Sequence, residues 1–252
     1  GDAGGHASPL MFLHGLLGSG TNWHTQAQRL AAKREILVPD LRNHGRSPHS
    51  PETGYDAMVS DLLALLVREG LGRVTLVGHS MGGKLAMLAA LRAPQCVERL
   101  VVVDIAPVRY PNRYEAIFAT LGSLDLAALK SRREADRQLE DCLPDPTLRQ
   151  FLLQNLVKED KGWVWRVNLP ALAEQAEQLM GFEPLAGLEP FRGPVLVIYG
   201  GESDYVSETH AETFRQWFPA ARLECVEGAG HWVHAERPDD FQQALDAFID
   251  AD

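Results

Sequence analysis

The chain has 252 residues, 45% of them hydrophobic, enough for one sizeable core in a single domain that carries an insertion. Its formal net charge of −10 repels phosphate backbones and anionic lipid surfaces, so neither a nucleic-acid partner nor stable membrane insertion is expected. Three cysteines, Cys96, Cys142 and Cys225, lie far apart in neither a disulfide nor a metal pattern and read as small packing residues in a reducing compartment. No run approaches the ~18 apolar residues that cross a bilayer. Residues 1–8 read as a disordered or tag-derived lead, because they lack the basic and apolar regions of a signal peptide. A cytoplasmic protein is expected, with an organellar targeting segment ahead of this sequence as the alternative.

From Pro9 onward, short apolar runs alternate with helical patterns. Strands are expected at Leu10–Leu13, Ile36–Pro39, Val74–Val77, Leu100–Val103, Val195–Tyr199 and Leu223–Val226. Their continuous Val, Ile and Leu content is what strands buried on both faces require. Helices are expected at Asn22–Lys33, Tyr55–Glu69, Met81–Ala93, Thr209–Trp217 and Pro238–Ile249. Such alternation predicts an open α/β fold, a mostly parallel sheet flanked by helices. It breaks off between Pro107 and Leu188, where helical spacing recurs at Tyr114–Leu121, Leu126–Leu139, Thr147–Val157 and Ala171–Met180, punctuated by Pro144, Pro146, Pro170 and Pro184. This segment reads as a helical cap, 107–188, inserted in a core formed by 9–106 and 189–252.

The segment Gly78-His79-Ser80-Met81-Gly82 is a G-x-S-x-G motif directly after a buried strand and directly before a helix. A serine on that tight turn projects its oxygen into a site, and the flanking glycines make room for neighbouring backbone. Met81 then presents its N–H at a helix start, where unsatisfied donors and the dipole favour negative charge. The loop after the first strand, His14-Gly15-Leu16-Leu17-Gly18, offers the N–H of Leu16 as the second donor of an oxyanion hole. A serine alcohol needs an imidazole base. Of nine histidines, His231 in Glu227-Gly-Ala-Gly-His231-Trp232 follows the last strand, where the order serine, acid, histidine puts the base. His234 is its near rival, and His79 flanks the serine with a side chain expected to point away from its oxygen. The acid is Asp104 or Asp204, both at carboxyl ends of strands; pattern alone leans slightly to Asp204.

Taken together, His14-Gly-Leu-Leu-Gly18, Asp40-Leu-Arg-Asn-His44-Gly45-Arg-Ser47, Gly78-His-Ser-Met-Gly-Gly-Lys84, Asp104-Ile-Ala-Pro-Val108 and Gly228-Ala-Gly-His-Trp-Val-His-Ala-Glu236 occur in order. This set closely resembles the YbfF-type esterases and the related mitochondrial α/β-hydrolase-domain protein eleven, members of the α/β-hydrolase superfamily. The likeness runs from Pro9 to the C-terminus and includes Phe151-Leu-Leu-Gln-Asn-Leu-Val and Trp163-Val-Trp165-Arg-Val-Asn168. It implies an α/β-hydrolase fold with an inserted helical cap and a serine esterase acting on short- to medium-chain acyl esters or thioesters. It also implies Asp104 as the acid, with Asp204 as the alternative. The two strands that usually lead the family's sheet have no counterpart before Pro9, which bears on the sheet edge and not on the chemistry.

The resulting expectation is a serine esterase using Ser80, His231 and Asp104, with Leu16 and Met81 as oxyanion donors and no metal or organic cofactor. Its partner is a small acyl ester, and it is a monomer or homodimer. His14, Trp163, Trp165 and Trp232 are the candidate substrate-binding residues. Loop ordering for His14 and core packing for the cap aromatics, Phe118 and Phe151 included, are the simpler alternatives. The same triad serves C–C bond hydrolysis and cofactor-free perhydrolysis, and the fold also serves a ligand receptor. Dehalogenase and epoxide-hydrolase chemistry is disfavoured because those enzymes attack with an aspartate, and position 80 is serine.

Overall fold

A computed structural model of the protein describes residues 8–251, so the expectation for the leading segment falls, Ser8 apart, outside the described residues. In chain order, β1 (Leu10–Leu13) runs through a 3₁₀ turn into α1 (His24–Leu30), and β2 (Ile36–Leu37) precedes α2 (Tyr55–Arg68). Next come β3 (Val74–His79), α3 (Met81–Arg92) and β4 (Val97–Val103). The chain then leaves the sheet through α4 (Glu115–Gly122), α5 (Arg132–Leu139), α6 (Pro146–Leu153), the pair β5 (Leu156–Glu159) and β6 (Gly162–Trp165), α7 (Leu169–Glu174) and α8 (Ala176–Leu179). It returns as β7 (Val195–Gly200), α9 (Ala211–Trp217), β8 (Ala221–Val226), α10 (Val233–Glu236) and α11 (Pro238–Ile249).

Six strands form one sheet in the order β2-β1-β3-β4-β7-β8, every neighbouring pair parallel. Side chains alternate between faces. Met11, Leu13, Leu76 and Val102 pack toward α2 and α3, whereas Leu10, Phe12, Val77 and Val103 pack toward Trp23, Phe241 and Leu245. Burial on both faces is why the central strands read as continuous apolar runs. The exception is β8, where Arg222, Glu224 and Cys225 are not buried, as suits an edge strand that must not pair with another chain. Cys142 and Cys225 are exposed, so only Cys96 has even a partly buried position; the packing role expected for all three does not hold.

The segment between β4 and β7 is not all helical. Trp163-Val-Trp165 pairs antiparallel with Leu156–Glu159 across a two-residue turn, a hairpin where the spacing predicted helix and loop. Aromatic and β-branched residues alternating beside a glycine turn favour strand over helix, and Gly162 takes a φ of +124°.

Helix α3 is buried from Met81 to Leu91 and starts against the ends of β1 and β3. A Cβ on Gly78 would lie 2.2 Å from the Gly82 carbonyl oxygen, and one on Gly82 would lie 2.4 Å from that of Leu13. Backbone therefore touches backbone at the helix start, and only glycine fits either position. Gly82→Ala is expected to lower unfolding free energy by at least about 2 kcal/mol, read in urea melts.

Two buried histidines order the loops beside this junction. His14 Nδ1–H donates to the Gly15 carbonyl while its Nε2 accepts from Leu41 N–H. His44 Nδ1–H donates to the Arg42 carbonyl while its Nε2 accepts from Leu17 N–H. An Nε2 facing a backbone N–H has no place for a proton, so both rings are held neutral. Burial lowers His14 to about 4 and His44 to about 3, against an ordinary 6.5. The unfolded chain takes up these protons below pH 6.5 and the folded chain does not. Stability is therefore full above pH 6.5 and declines as pH falls toward 4, each ring contributing up to about 1.4 kcal/mol per pH unit. Denaturant melts at pH 7, 6 and 5 should show this fall before the carboxylates titrate; a flat profile would refute it.

Candidate active site

Ser80 occupies the single residue between β3 and α3, with φ +53° and ψ −118°, outside the conformations that L-residues ordinarily adopt. The turn is fastened by its N–H donating to Val103 O at 3.0 Å and by its carbonyl accepting from Gly83 and Lys84. The N–H groups of Leu16 and Met81 have no backbone acceptor among the described residues, and both residues line the cavity wall around Ser80. Strain of this kind persists only where surrounding packing imposes it. Among the described residues, three further non-glycine residues have positive φ: Leu17, Asn43 and Asp104.

Asp104 directly follows β4 and is 0% exposed. Its Oδ1 accepts from Gly200 N–H at 3.1 Å, and its Oδ2 accepts from Ser203 Oγ–H and from His231 Nδ1–H, the last at 2.7 Å. A buried carboxylate must be matched by donors, and these three come from β4's neighbour β7 and from the loops after β7 and β8. Asp204 is elsewhere: its side chain is 62% exposed and pairs with Arg113 at 2.6 Å, which holds its carboxyl below the usual range. The loop after β7 thus brings Ser203 rather than Asp204 to the buried acid. Nothing in the spacing distinguishes that serine from any other loop serine.

His231 lies among aromatic rings. Tyr205 stacks on it at 4.0 Å between centroids, and His79 lies 4.6 Å away. His79 Nε2–H donates to the His231 carbonyl at 2.9 Å, so this side chain turns toward the base's own loop. His234 is buried on α10 and stacks on Trp23 at 4.2 Å. Burial, then the proximity of His231, lowers it to about 3; burial likewise holds His79 well below the ordinary value, so both stay neutral.

Two narrow cavities meet at Ser80, sharing Leu16 and Tyr114. One, of about 40 Å³, is walled by Phe151, Leu152, Trp23, Trp232 and the rings of His14, His79, His231 and His234. The other, of about 20 Å³, is walled by Tyr55, Lys84, Ile105, Tyr110, Met180 and Tyr205. A roomier open cavity of about 600 Å³ between α2 and the 39–50 loop holds no nucleophile beside a base, so the chemistry points to the small pair. Trp232 and His14 therefore face the site, His14 also ordering its loop. Trp163 and Trp165 line neither cavity and pack, partly buried, against the main core.

The segment between β4 and β7 is tied over these cavities by polar contacts that spacing does not reveal. Asn155 Nδ2–H donates to the carbonyl of strained Leu17 at 2.7 Å, and Asn168 Nδ2–H donates to Asn43 Oδ1 at 2.9 Å. Lys84, one turn beyond Ser80, donates from Nζ to the carbonyls of Met180 and Gly181 at 2.6 and 2.9 Å. Burial, and then Arg109, pulls its ammonium down to about 7.

The sequence model of the alpha/beta hydrolase family matches residues 10–244. The protein named sn-1-specific diacylglycerol lipase ABHD11 from Mus musculus is 43% identical over 248 residues, covering 95% of this chain and 80% of the mouse protein. Esterase YbfF of Escherichia coli is 37% identical over 243 residues, covering 96% and 93%. Among solved structures, one titled marine microorganism esterase superposes with a TM-score of 0.92 at 35% identity, covering 96% of this chain and 95% of the other. The chain belongs to the alpha/beta hydrolase family and stands with its carboxylic ester hydrolases.

Proposed function

We propose that the protein hydrolyses short- to medium-chain acyl esters or thioesters through an acyl-enzyme, with Ser80 as nucleophile, His231 as general base and Asp104 as the acid that orients it. The observation that carries this reading is the buried Asp104 carboxylate bonded to His231 beside a serine held at φ +53°. In the forward half-reaction the substrate carbonyl oxygen lies between the N–H groups of Leu16 and Met81. Ser80 Oγ attacks the carbonyl carbon and its proton passes to His231 Nε2. The tetrahedral oxyanion is held by the two N–H donors, and the imidazolium is stabilised by Asp104. Collapse expels the alcohol or thiol, which takes the proton from His231. Water then repeats the sequence at the acyl carbon, releasing the carboxylic acid and restoring the serine.

The segment 107–188 acts in this proposal as a cap on a core of 9–106 and 189–252. The cavities at Ser80, about 40 and 20 Å³, are far smaller than the ~300 Å³ and more of pockets that enclose an organic ligand. Substrate entry therefore requires side chains to give way. Phe151, from α6, meets Trp232, from the loop before α10, at 5.5 Å between centroids, a contact that bridges cap and core in the wall of the 40 Å³ cavity. The tightness supports a small acyl group.

Ser80→Ala is expected to lower kcat on p-nitrophenyl acetate at least about 10³-fold, and near-native turnover would end the proposal. Asp104→Asn should cost at least about 10²-fold, since the imidazole loses its orienting partner. Asp204→Asn should stay within about threefold of the parent; equal losses in the two variants would overturn the assignment of the acid. Phe151→Ala is expected to raise kcat/KM for p-nitrophenyl octanoate relative to the acetate by at least about fivefold, measured on a chain-length series.

A further inference from the structure

A hydrogen bond from Nδ1 to Asp104 fixes one edge of the His231 ring and leaves the tilt of its plane undetermined. That tilt decides whether Nε2 faces the serine. In this structure the missing constraint is a ring face. Tyr205 lies nearly parallel to the imidazole, 4.0 Å between centroids and 21° between planes. The His79 ring, 4.6 Å away, is tilted by 46° to the imidazole and offers no parallel face.

Tyr205 is itself held from behind. The Tyr110 hydroxyl donates to the Tyr205 carbonyl at 2.6 Å and accepts from Ala106 N–H at 2.9 Å, and the two tyrosine rings lie 5.3 Å apart. The Lys84 ammonium stands 4.9 Å from the Tyr110 ring centroid while it bonds the Met180 and Gly181 carbonyls. Tyr110 N–H donates to the same Met180 carbonyl. A continuous row thus runs from the helix that starts at Ser80, through Lys84 and Tyr110, to Tyr205 and the imidazole. Its three side chains other than His231, those of Lys84, Tyr110 and Tyr205, line the smaller cavity with Ser80.

We propose that Tyr205 is a positioning residue for His231: its ring face sets the plane of the imidazole, and Tyr110 locks Tyr205 in place. The inference rests on the reading of His231 as general base. An aromatic face suits this task because it accepts the flat neutral ring and also favours the cation formed when the ring takes the serine proton. It acts on the chemical step and not on substrate affinity.

The test is a steady-state comparison of Tyr205→Leu, Tyr205→Phe and Tyr110→Phe on p-nitrophenyl acetate, with thermal melts to confirm folding. Tyr205→Leu is expected to lose about 10- to 100-fold in kcat with KM within about threefold, because small misplacements at a reacting group cost up to ~10² in rate. Tyr205→Phe keeps the ring and should recover kcat to within about threefold of the parent. Tyr110→Phe should lose about three- to tenfold in kcat, and it decides the matter if Tyr205→Leu does not fold. A folded Tyr205→Leu with parental kcat, a loss confined to KM, or a Tyr205→Phe as slow as Tyr205→Leu would each overturn the inference. Failure of the wider reading looks different: it is an active Ser80→Ala or His231→Ala, whereas an inactive Ser80→Ala with a fully active Tyr205→Leu removes only the role of Tyr205.

Discussion

The carboxylate of Asp104 has no water to solvate it, and the loops around it are arranged by that fact. A fully buried carboxylate left unpaired is costly, so its oxygens draw in Gly200 N–H, Ser203 Oγ and His231 Nδ1. Those donors come from the end of β7 and from two separate loops, 96, 99 and 127 residues away along the chain. Satisfying one buried charge therefore fixes the relative positions of three strand ends. The proposed base is oriented as a by-product of that requirement.

The other side of the site is set by close approach of backbone. Because Gly78 and Gly82 carry no Cβ, the start of α3 lies against the ends of β1 and β3, and Ser80 is left at the apex in a conformation it would not choose alone. Leu17 and Asn43, also at positive φ, are each tied by side-chain amides from the 107–188 segment: Asn155 on the Leu17 carbonyl, and Asn168 on the Asn43 amide oxygen. This segment thus supplies part of the cavity walls at Ser80 and also braces the loops that frame it. Lys84 adds a third tie, from the helix that Ser80 opens.

Much of this architecture is legible from local pattern. The six core strands fall where continuous apolar runs predict them, and α2, α3 and α11 begin where the pattern places them. Local pattern misleads in the insertion. Trp163-Val-Trp165 looks like aromatics of a helical cap, but a strand partner five to nine residues earlier turns it into half of a hairpin whose tryptophans line neither cavity at Ser80. The role of a short apolar stretch depends on what pairs with it, and pairing is not a property of the stretch.

By itself the sequence determined the α/β layering, the serine at the strand-to-helix turn and the histidine after the last strand. Each of these follows from periodicity or from residue types a few positions apart. Only the tertiary structure decided which carboxylate touches His231. Asp104 directly follows β4 and Asp204 lies in the loop after β7, both at the carboxyl edge of the sheet; in the folded chain one is sealed from water while the other lies exposed against Arg113. The tyrosine row behind the imidazole and the histidines that order the first loops have the same origin. The partners that tie them to other loops are 27 residues away for each histidine, 95 for Tyr110 and Tyr205, and 127 for His231 and Asp104, and no local rule selects among such distant pairs.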